Sequence, residues 1–182
     1  MDTTLRYNYN IKQEKNIMRL FIAIELEPNI KNALLEIQGN MKKAGVTGNY
    51  TAIDNTHITL AFIVDYPDPD YVLQAMENVS FKPFNISLKG FGNFGDLWWA
   101  GLDNSEELRT VVRSLRHYLS DAEIPYDRKK FSPHITLIRK AVCRRGMPGI
   151  SIPHKSMTVN KITLYRSDRG KHGMIYTELG SV

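Results

Sequence analysis

Cysteine is almost missing from this chain: Cys143 is the one example among 182 residues. An internal disulfide is thereby excluded, which fits a reducing compartment. Arg144 and Arg145 follow Cys143 but neither can act as a base, so a structural thiol is the expected reading. Long apolar runs are missing too. No stretch approaches the ~18 uninterrupted apolar residues of a membrane span, and the N-terminus shows no apolar signal segment with a small-residue cleavage site. A soluble, cytoplasmic protein with no membrane partner is the expectation. Acidic residues are scarce in one region above all. Between Arg128 and Lys171 stand 12 of the 24 Lys and Arg residues but one of the 19 acids, Asp168. Clustered cations attract phosphates and release their counterions, which points to a polyanion as partner. A solvated face kept for solubility is the alternative that charge alone leaves open.

What is present suffices for a core: 42% of residues are hydrophobic, in a length that suits one domain or two closely packed lobes. Residues 1–17 are mostly polar without a sustained period and read as a disordered extension, leaving 18–182 as a single domain. MRLFIAIEL reads as a buried strand, and Pro28 then opens a helix whose apolar face is Ile30, Ala33, Leu34, Ile37 and Met41, stopped by Gly45. YTAI and HITLAFIV read as strands, and residues 69–79 as a short helix. FNISLKGFGNFG alternates and is expected to break at Gly90, Gly92 and Gly95, with LWWAGL returning as the second strand of a hairpin-like pair. A second helix is expected after a cap at Asn104 or Ser105, with Leu108, Val111, Val112, Leu115, Tyr118 and Leu119 on one face and His117 opposite. HITLIRKAV, SMTVNKITLYRS and GMIYTEL carry strand character around a Gly/Pro-punctuated loop at 144–153. Strands and helices are mixed rather than alternating, so an α+β architecture of two small, mainly antiparallel sheets with outer helices is expected.

The tetrapeptide HITL occurs twice, at 57–60 and 134–137, each time opening with one of only five histidines. The copies stand 77 residues apart (134 − 57), a separation that suits one copy per lobe. On a strand, residues i and i+2 share a face, so His57 and Thr59 point one way while Ile58 and Leu60 anchor the other side. His134 and Thr136 repeat the pattern against Ile135 and Leu137. If the two strands face one cleft, two imidazoles and two hydroxyls converge. Hydrolysis of a phosphodiester asks for that set: one group to take a proton from water, another to give one to the leaving oxygen, and donors for the non-bridging oxygens. Histidine, with an ordinary pKa near 6.5, serves either proton role near neutrality. Zinc is a poor account, because a third ligand is lacking and Thr stands where Asp, His or Cys should be.

These residues, with their flanks NTHITLAFI and FSPHITLIRK, the opening MRLFIAIEL, and the closing ITLYRS followed by Tyr176-x-x-Leu179, resemble the two-histidine phosphoesterases. The closer resemblance is to the LigT-like RNA 2′,3′-cyclic phosphodiesterases, historically called 2′-5′ RNA ligases, and it covers most of residues 18–180. It implies a bilobal fold with pseudo-twofold symmetry around a central cleft, and metal-independent opening of a 2′,3′-cyclic phosphate to a 2′-phosphate. By the same resemblance His57 is the proton donor to the leaving ribose oxygen, His134 the proton acceptor that activates water, and Thr59 and Thr136 hold phosphate oxygens. Arg139 matches the arginine after the second motif and reads as a phosphate ligand. The implied partner is an RNA with a 2′,3′-cyclic phosphate end or a cyclic nucleotide, with no cofactor, no metal and no obligate protein partner; reverse 2′-5′ ligation accompanies such an activity.

The 17 N-terminal residues have no counterpart in that family, and the stretch between the second motif and Ser156 is short, with Arg144 and Arg145 placed to track an RNA backbone. Phe62, Phe131 and Trp98 are candidates to stack on a terminal base, against the commoner role of such aromatics in a core. His117, His154 and His172 read as surface or loop residues. Two other classes stay open on sequence alone: a nucleotide- or RNA-binding module with little turnover, and a protein-interaction domain using the basic lobe.

Overall fold

The structure, a computed structural model, describes residues 17–103, 105–171 and 173–182. The expected extension over 1–17 therefore lies outside the described residues except for Ile17, and Asn104 and His172 lie outside them as well. Nine strands and three helices make up the described chain: β1 (Met18–Glu25), α1 (Pro28–Lys43), β2 (Thr47–Tyr50), β3 (His57–Tyr66), α2 (Pro69–Met76), β4 (Phe84–Phe94), β5 (Leu97–Leu102), α3 (Glu106–Asp121), β6 (His134–Val142), β7 (Ser156–Val159), β8 (Thr163–Gly170) and β9 (Gly173–Ser181). The α+β expectation holds. All recorded pairings are antiparallel, along the path β7-β4-β5-β6-β3-β1-β8-β9 with β2 on β6.

That path is two four-stranded halves with one internal order. Outward from the middle, one half reads β3-β1-β8-β9 and the other β6-β5-β4-β7. The halves join where β3 meets β6 through the single register pair Ile58 and Ile135. Where the sequence led to two small sheets, the described strands form one hydrogen-bonded path, because β3 and β6 pair at this joint. Because Ile58 and Ile135 hold the same place in the two HITL copies, the joint itself has the local twofold symmetry of an antiparallel pair of like residues. The order strand, helix, motif strand also recurs, as β1-α1-β3 with β2 inserted after α1 and as β5-α3-β6, and α1 and α3 are both 16 residues long.

The helices form as their patterns predict. Pro28 occupies the first turn of α1, where its missing N–H costs nothing, and Ile30, Ala33, Leu34, Ile37 and Met41 are buried. Gly45, at φ +83°, turns the chain out of the helix in a conformation that L-residues resist. Ser105 caps α3, its Oγ accepting from Leu108 N at 3.1 Å, and Asp68 caps α2 in the same way at Tyr71 N. Burying one such aliphatic side chain is worth about 1.5–3 kcal/mol, and the buried residues of both halves form one contiguous core. Gln38 is one of the polar residues buried with that interior. From α1 its Nε2 donates to Thr51 O at 2.8 Å and Leu137 O at 3.0 Å, bolting the helix to both chain segments beside the second motif.

Three boundaries differ from the sequence expectation. The strand expected at YTAI lies earlier, at Thr47–Tyr50, because its partner decides: Tyr50 pairs Ile138 and Asn49 pairs Arg139, after which the chain enters a 3₁₀ turn at Ile53–Asn55. The short helix expected over 69–79 ends at Met76. β4 continues as a strand through Gly90 and Gly92, but its pairing with β5 shifts register between Leu88 and Phe91, where Gly90 stands at φ +85°; at Gly92 the missing side chain lets the Trp99 ring of β5 lie across the strand, and the hairpin turns at Gly95 and Asp96.

Candidate active site

The sequence alternation sets up the site, and one irregularity completes it. Along β3 the burial runs half-buried His57, buried Ile58, half-buried Thr59, buried Leu60, buried Ala61, half-buried Phe62. Two buried residues in succession break the period of two. The cause is a bulge: Ile22 and Ala23 of β1 pair with Ala61 and Thr59, so one step on β1 answers two on β3. The same device stands at the equivalent place in the second copy, where Trp98 and Trp99 of β5 pair with Ile138 and Thr136 of β6. Residues after each bulge change face. Arg139 thus joins Thr136 on the cleft side although they lie three apart, and Phe62 joins Thr59 likewise.

The four motif side chains share one face across the Ile58 and Ile135 joint. Continuing that antiparallel register by one residue sets His57 across from Thr136 and Thr59 across from His134, with the two histidines on the diagonal, about 7–8 Å apart at Cα. They line a single cleft of about 380 Å³ together with Arg19, Phe62 and Arg139. All five site residues expected from sequence are therefore brought to one cavity.

The two imidazoles are oriented alike. His57 Nδ1 lies 2.8 Å from Asn55 O, and His134 Nδ1 lies 2.8 Å from Ser132 O, in both cases the carbonyl two residues earlier. A carbonyl only accepts, so each Nδ1 must carry the hydrogen, and each neutral ring keeps its lone pair on Nε2. Either ring can therefore exchange a proton at Nε2 without giving up its anchor. Asn55 is itself fixed, its Nδ2 donating to Met174 O at 2.8 Å, which ties β9 to the turn ahead of His57.

Aromatic rings bracket both histidines. Phe21 lies 4.8 Å from His57 between ring centroids and Tyr176 meets it edge-on at 5.3 Å; Phe94 meets His134 edge-on at 5.1 Å, with Trp99 at 6.4 Å. The electrostatics are less symmetrical. Burial holds the His57 pKa below its ordinary value, the bond to Asn55 opposes this, and the charges of Arg139 and His134 push it lower still. Arg139 therefore acts at the His57 end of the cleft. At the place equivalent to Arg139 the first copy offers Phe62 instead, with the Arg19 guanidinium 4.9 Å from its ring centroid. Among the described residues, neither motif threonine hydroxyl nor the Arg139 guanidinium has a hydrogen-bond partner, so these donors are available to a ligand.

Other expectations fare differently. Of the three stacking candidates only Phe62 lines the cleft. Trp98 is 6% exposed and packs edge-on against Phe91 in the core, because β5 turns its neighbour Trp99 toward His134 instead; Phe131 packs on the core surface. His117 is exposed and pairs with Asp121 at 3.3 Å, and His154 is an exposed loop residue. Sequence reasoning missed Arg19, although the alternation Arg19, Phe21, Ala23 along MRLFIAIEL already placed a charge on the face of Phe21. It also left Tyr176 without a role. Among the described residues no three His, Cys, Asp or Glu side chains converge as a metal site, and no helix is long and apolar enough to cross a membrane.

Comparison with known proteins agrees with this geometry. An RNA 2′,3′-cyclic phosphodiesterase of Thermotoga maritima is 28% identical over 176 residues, covering 89% of this chain and 93% of its own. A protein of the same name from Thermus thermophilus is 30% identical, covering 89% of this chain and 88% of its own. The crystal structure of E. coli LigT complexed with 3′-AMP matches with a TM-score of 0.78 at 24% identity, over 91% of this chain and 96% of that one, a likeness that speaks for the fold. The family model described as the 2′-5′ RNA ligase superfamily matches residues 27–171, and the chain belongs to that superfamily.

Proposed function

We propose that this protein hydrolyses a 2′,3′-cyclic phosphate, on an RNA end or a nucleoside, to a 2′-phosphate and a free 3′-hydroxyl, without a metal ion. The carrying observation is the matched anchoring of the two rings, each Nδ1 bound to a carbonyl at 2.8 Å, so that both Nε2 atoms serve one cleft. His134 Nε2 takes a proton from water as its oxygen bonds to phosphorus. The bond from phosphorus to the ribose 3′-oxygen breaks, and His57 Nε2, protonated beforehand, gives that oxygen its proton. One water is consumed, His57 ends neutral and His134 charged, and solvent resets both. Thr59 and Thr136 donate to the non-bridging oxygens, while Arg139 balances the charge that builds there. With the 5′-hydroxyl of a second RNA end in place of water, the same machinery joins 2′-5′ ends: that oxygen bonds to phosphorus as it gives its proton to His134, and the bond to the 3′-oxygen breaks as His57 protonates it.

The names carried by the relatives support the substrate class. The test is incubation with a nucleoside 2′,3′-cyclic phosphate in EDTA, followed by phosphorus NMR of the product. A 2′-phosphate formed by the wild type, and a loss of about 10²- to 10⁴-fold in both His57→Ala and His134→Ala, is expected. Exclusive 3′-phosphate, or undiminished turnover in the two variants, refutes the assignment.

A further inference from the structure

Beyond the cleft the concentrated basic charge has a place in the fold. In an antiparallel pair, the residues of β6 that follow Thr136 run past the His57 end of β3, where β6 exchanges its partner for β2. Arg139 stands there, paired with Asn49, and Lys140 follows at φ +53°, a left-handed conformation set in the approach to β2. About 10 Å farther along the strand, Val142 pairs with Thr47. There the surface opens into a depression of about 700 Å³ lined by Lys43, Thr47, Arg144 and Arg145 among others. Arg139, Lys140, Arg144 and Arg145 are exposed, and none takes part in an ion pair among the described residues. Asp96 meets β6 through its backbone carbonyl, at Ala141 N.

We propose that this line, from Arg139 through Lys140 to the Lys43, Arg144 and Arg145 depression, binds the sugar-phosphate backbone of the RNA strand upstream of the reacting end. The inference rests on the reading of the cleft given above. There the ribose 3′-oxygen departs from phosphorus toward His57 while the 2′-oxygen stays bonded, so the ribose lies on the His57 side, and the upstream strand, attached through the 5′-oxygen of that same ribose, leaves the cleft there. The free cations lie on that side. A backbone phosphate carries no sequence information, so the track confers a preference for length over sequence.

The test compares a cyclic mononucleotide with an RNA oligomer ending in a 2′,3′-cyclic phosphate, for the wild type and Arg144→Gln/Arg145→Gln. The mononucleotide is the internal reference for the cleft. The ratio of kcat/KM for oligomer over mononucleotide is expected to fall in the variant. Single-stranded contacts contribute about 0.7 each to the salt slope, so losing two makes the rise in oligomer KM between about 50 and 200 mM salt smaller by about sevenfold. An unchanged ratio and slope, with the mononucleotide still hydrolysed, overturns the track while sparing the catalytic reading. If the wild type hydrolyses neither substrate, the catalytic reading fails instead. The track is then judged by anisotropy of a labelled oligomer with a 3′-phosphate: the same loss of salt slope supports it, and equal binding by both proteins ends it.

Discussion

A single carbonyl decides what each imidazole can do. With Nδ1 committed to Asn55 O or Ser132 O, the neutral tautomer is fixed and the reactive nitrogen is Nε2 in both rings. The roles diverge through surroundings. His57 is held below its ordinary 6.5 first by burial and then by Arg139 and His134, so in the free protein the proposed proton donor is under-protonated at neutrality. A bound phosphate brings negative charge that opposes all three causes. His57 is therefore expected to titrate below 6.5 in the free protein by imidazole NMR, and to move upward both in Arg139→Gln and on addition of inorganic phosphate. No upward move in Arg139→Gln would remove Arg139 from its neighbourhood, and no upward move with phosphate would remove the anion from the His57 end of the cleft. Thr59→Val and Thr136→Val each delete a donor to charge while keeping shape, and each is expected to cost about 1–3 kcal/mol in kcat/KM for a cyclic nucleotide. Equal rates in the wild type and both variants would take the hydroxyls out of the mechanism.

Among the elements, the paired bulges matter most, since they bring Phe62 and Arg139 round to the cleft. Just beyond the second bulge, β2 makes a close backbone approach to Arg139 and Lys140 of β6. At Gly48, φ +144°, an added Cβ would stand 2.6 Å from Lys140 O and 2.9 Å from Arg139 O. Those are backbone atoms and cannot swing aside. Gly48→Ala is expected to push β2 off β6, at a cost of about 1–3 kcal/mol in urea denaturation, and to raise KM for a cyclic nucleotide through displacement of Arg139. A stable variant with unaltered KM would show that β2 does not position Arg139. The same bulges mark where sequence reading runs out. HITL, the helix faces and the Ser105 cap were legible because each rests on a local period or a short-range hydrogen bond. YTAI was displaced because β2 takes its bounds from β6, about ninety residues away in sequence. Strict alternation would have turned Arg139 toward the core with Leu137, and only a register shift against β5, invisible in the letters of β6, puts it in the cleft.

For the whole molecule, the two HITL copies meet at the joint of the two halves of the sheet. Any catalytic pair built this way depends on both copies keeping register at Ile58 and Ile135, each 0% exposed. Because the buried residues of both halves form one core, and one hydrogen-bonded path runs through them, the halves should not unfold separately. Both tryptophans, Trp98 and Trp99, lie on β5 in the second half, so their fluorescence reports that half while far-UV circular dichroism reports the whole. The two signals are expected to coincide in urea. Ile58→Ala, made in the first half, leaves a cavity at the joint and is expected to cost about 2–5 kcal/mol, moving the tryptophan midpoint as far as the dichroism midpoint. If the tryptophan transition stayed in place while the dichroism split into two steps, the halves would be independent folding units, and the alignment of His57 with His134 would rest on docking of finished lobes rather than on a shared interior.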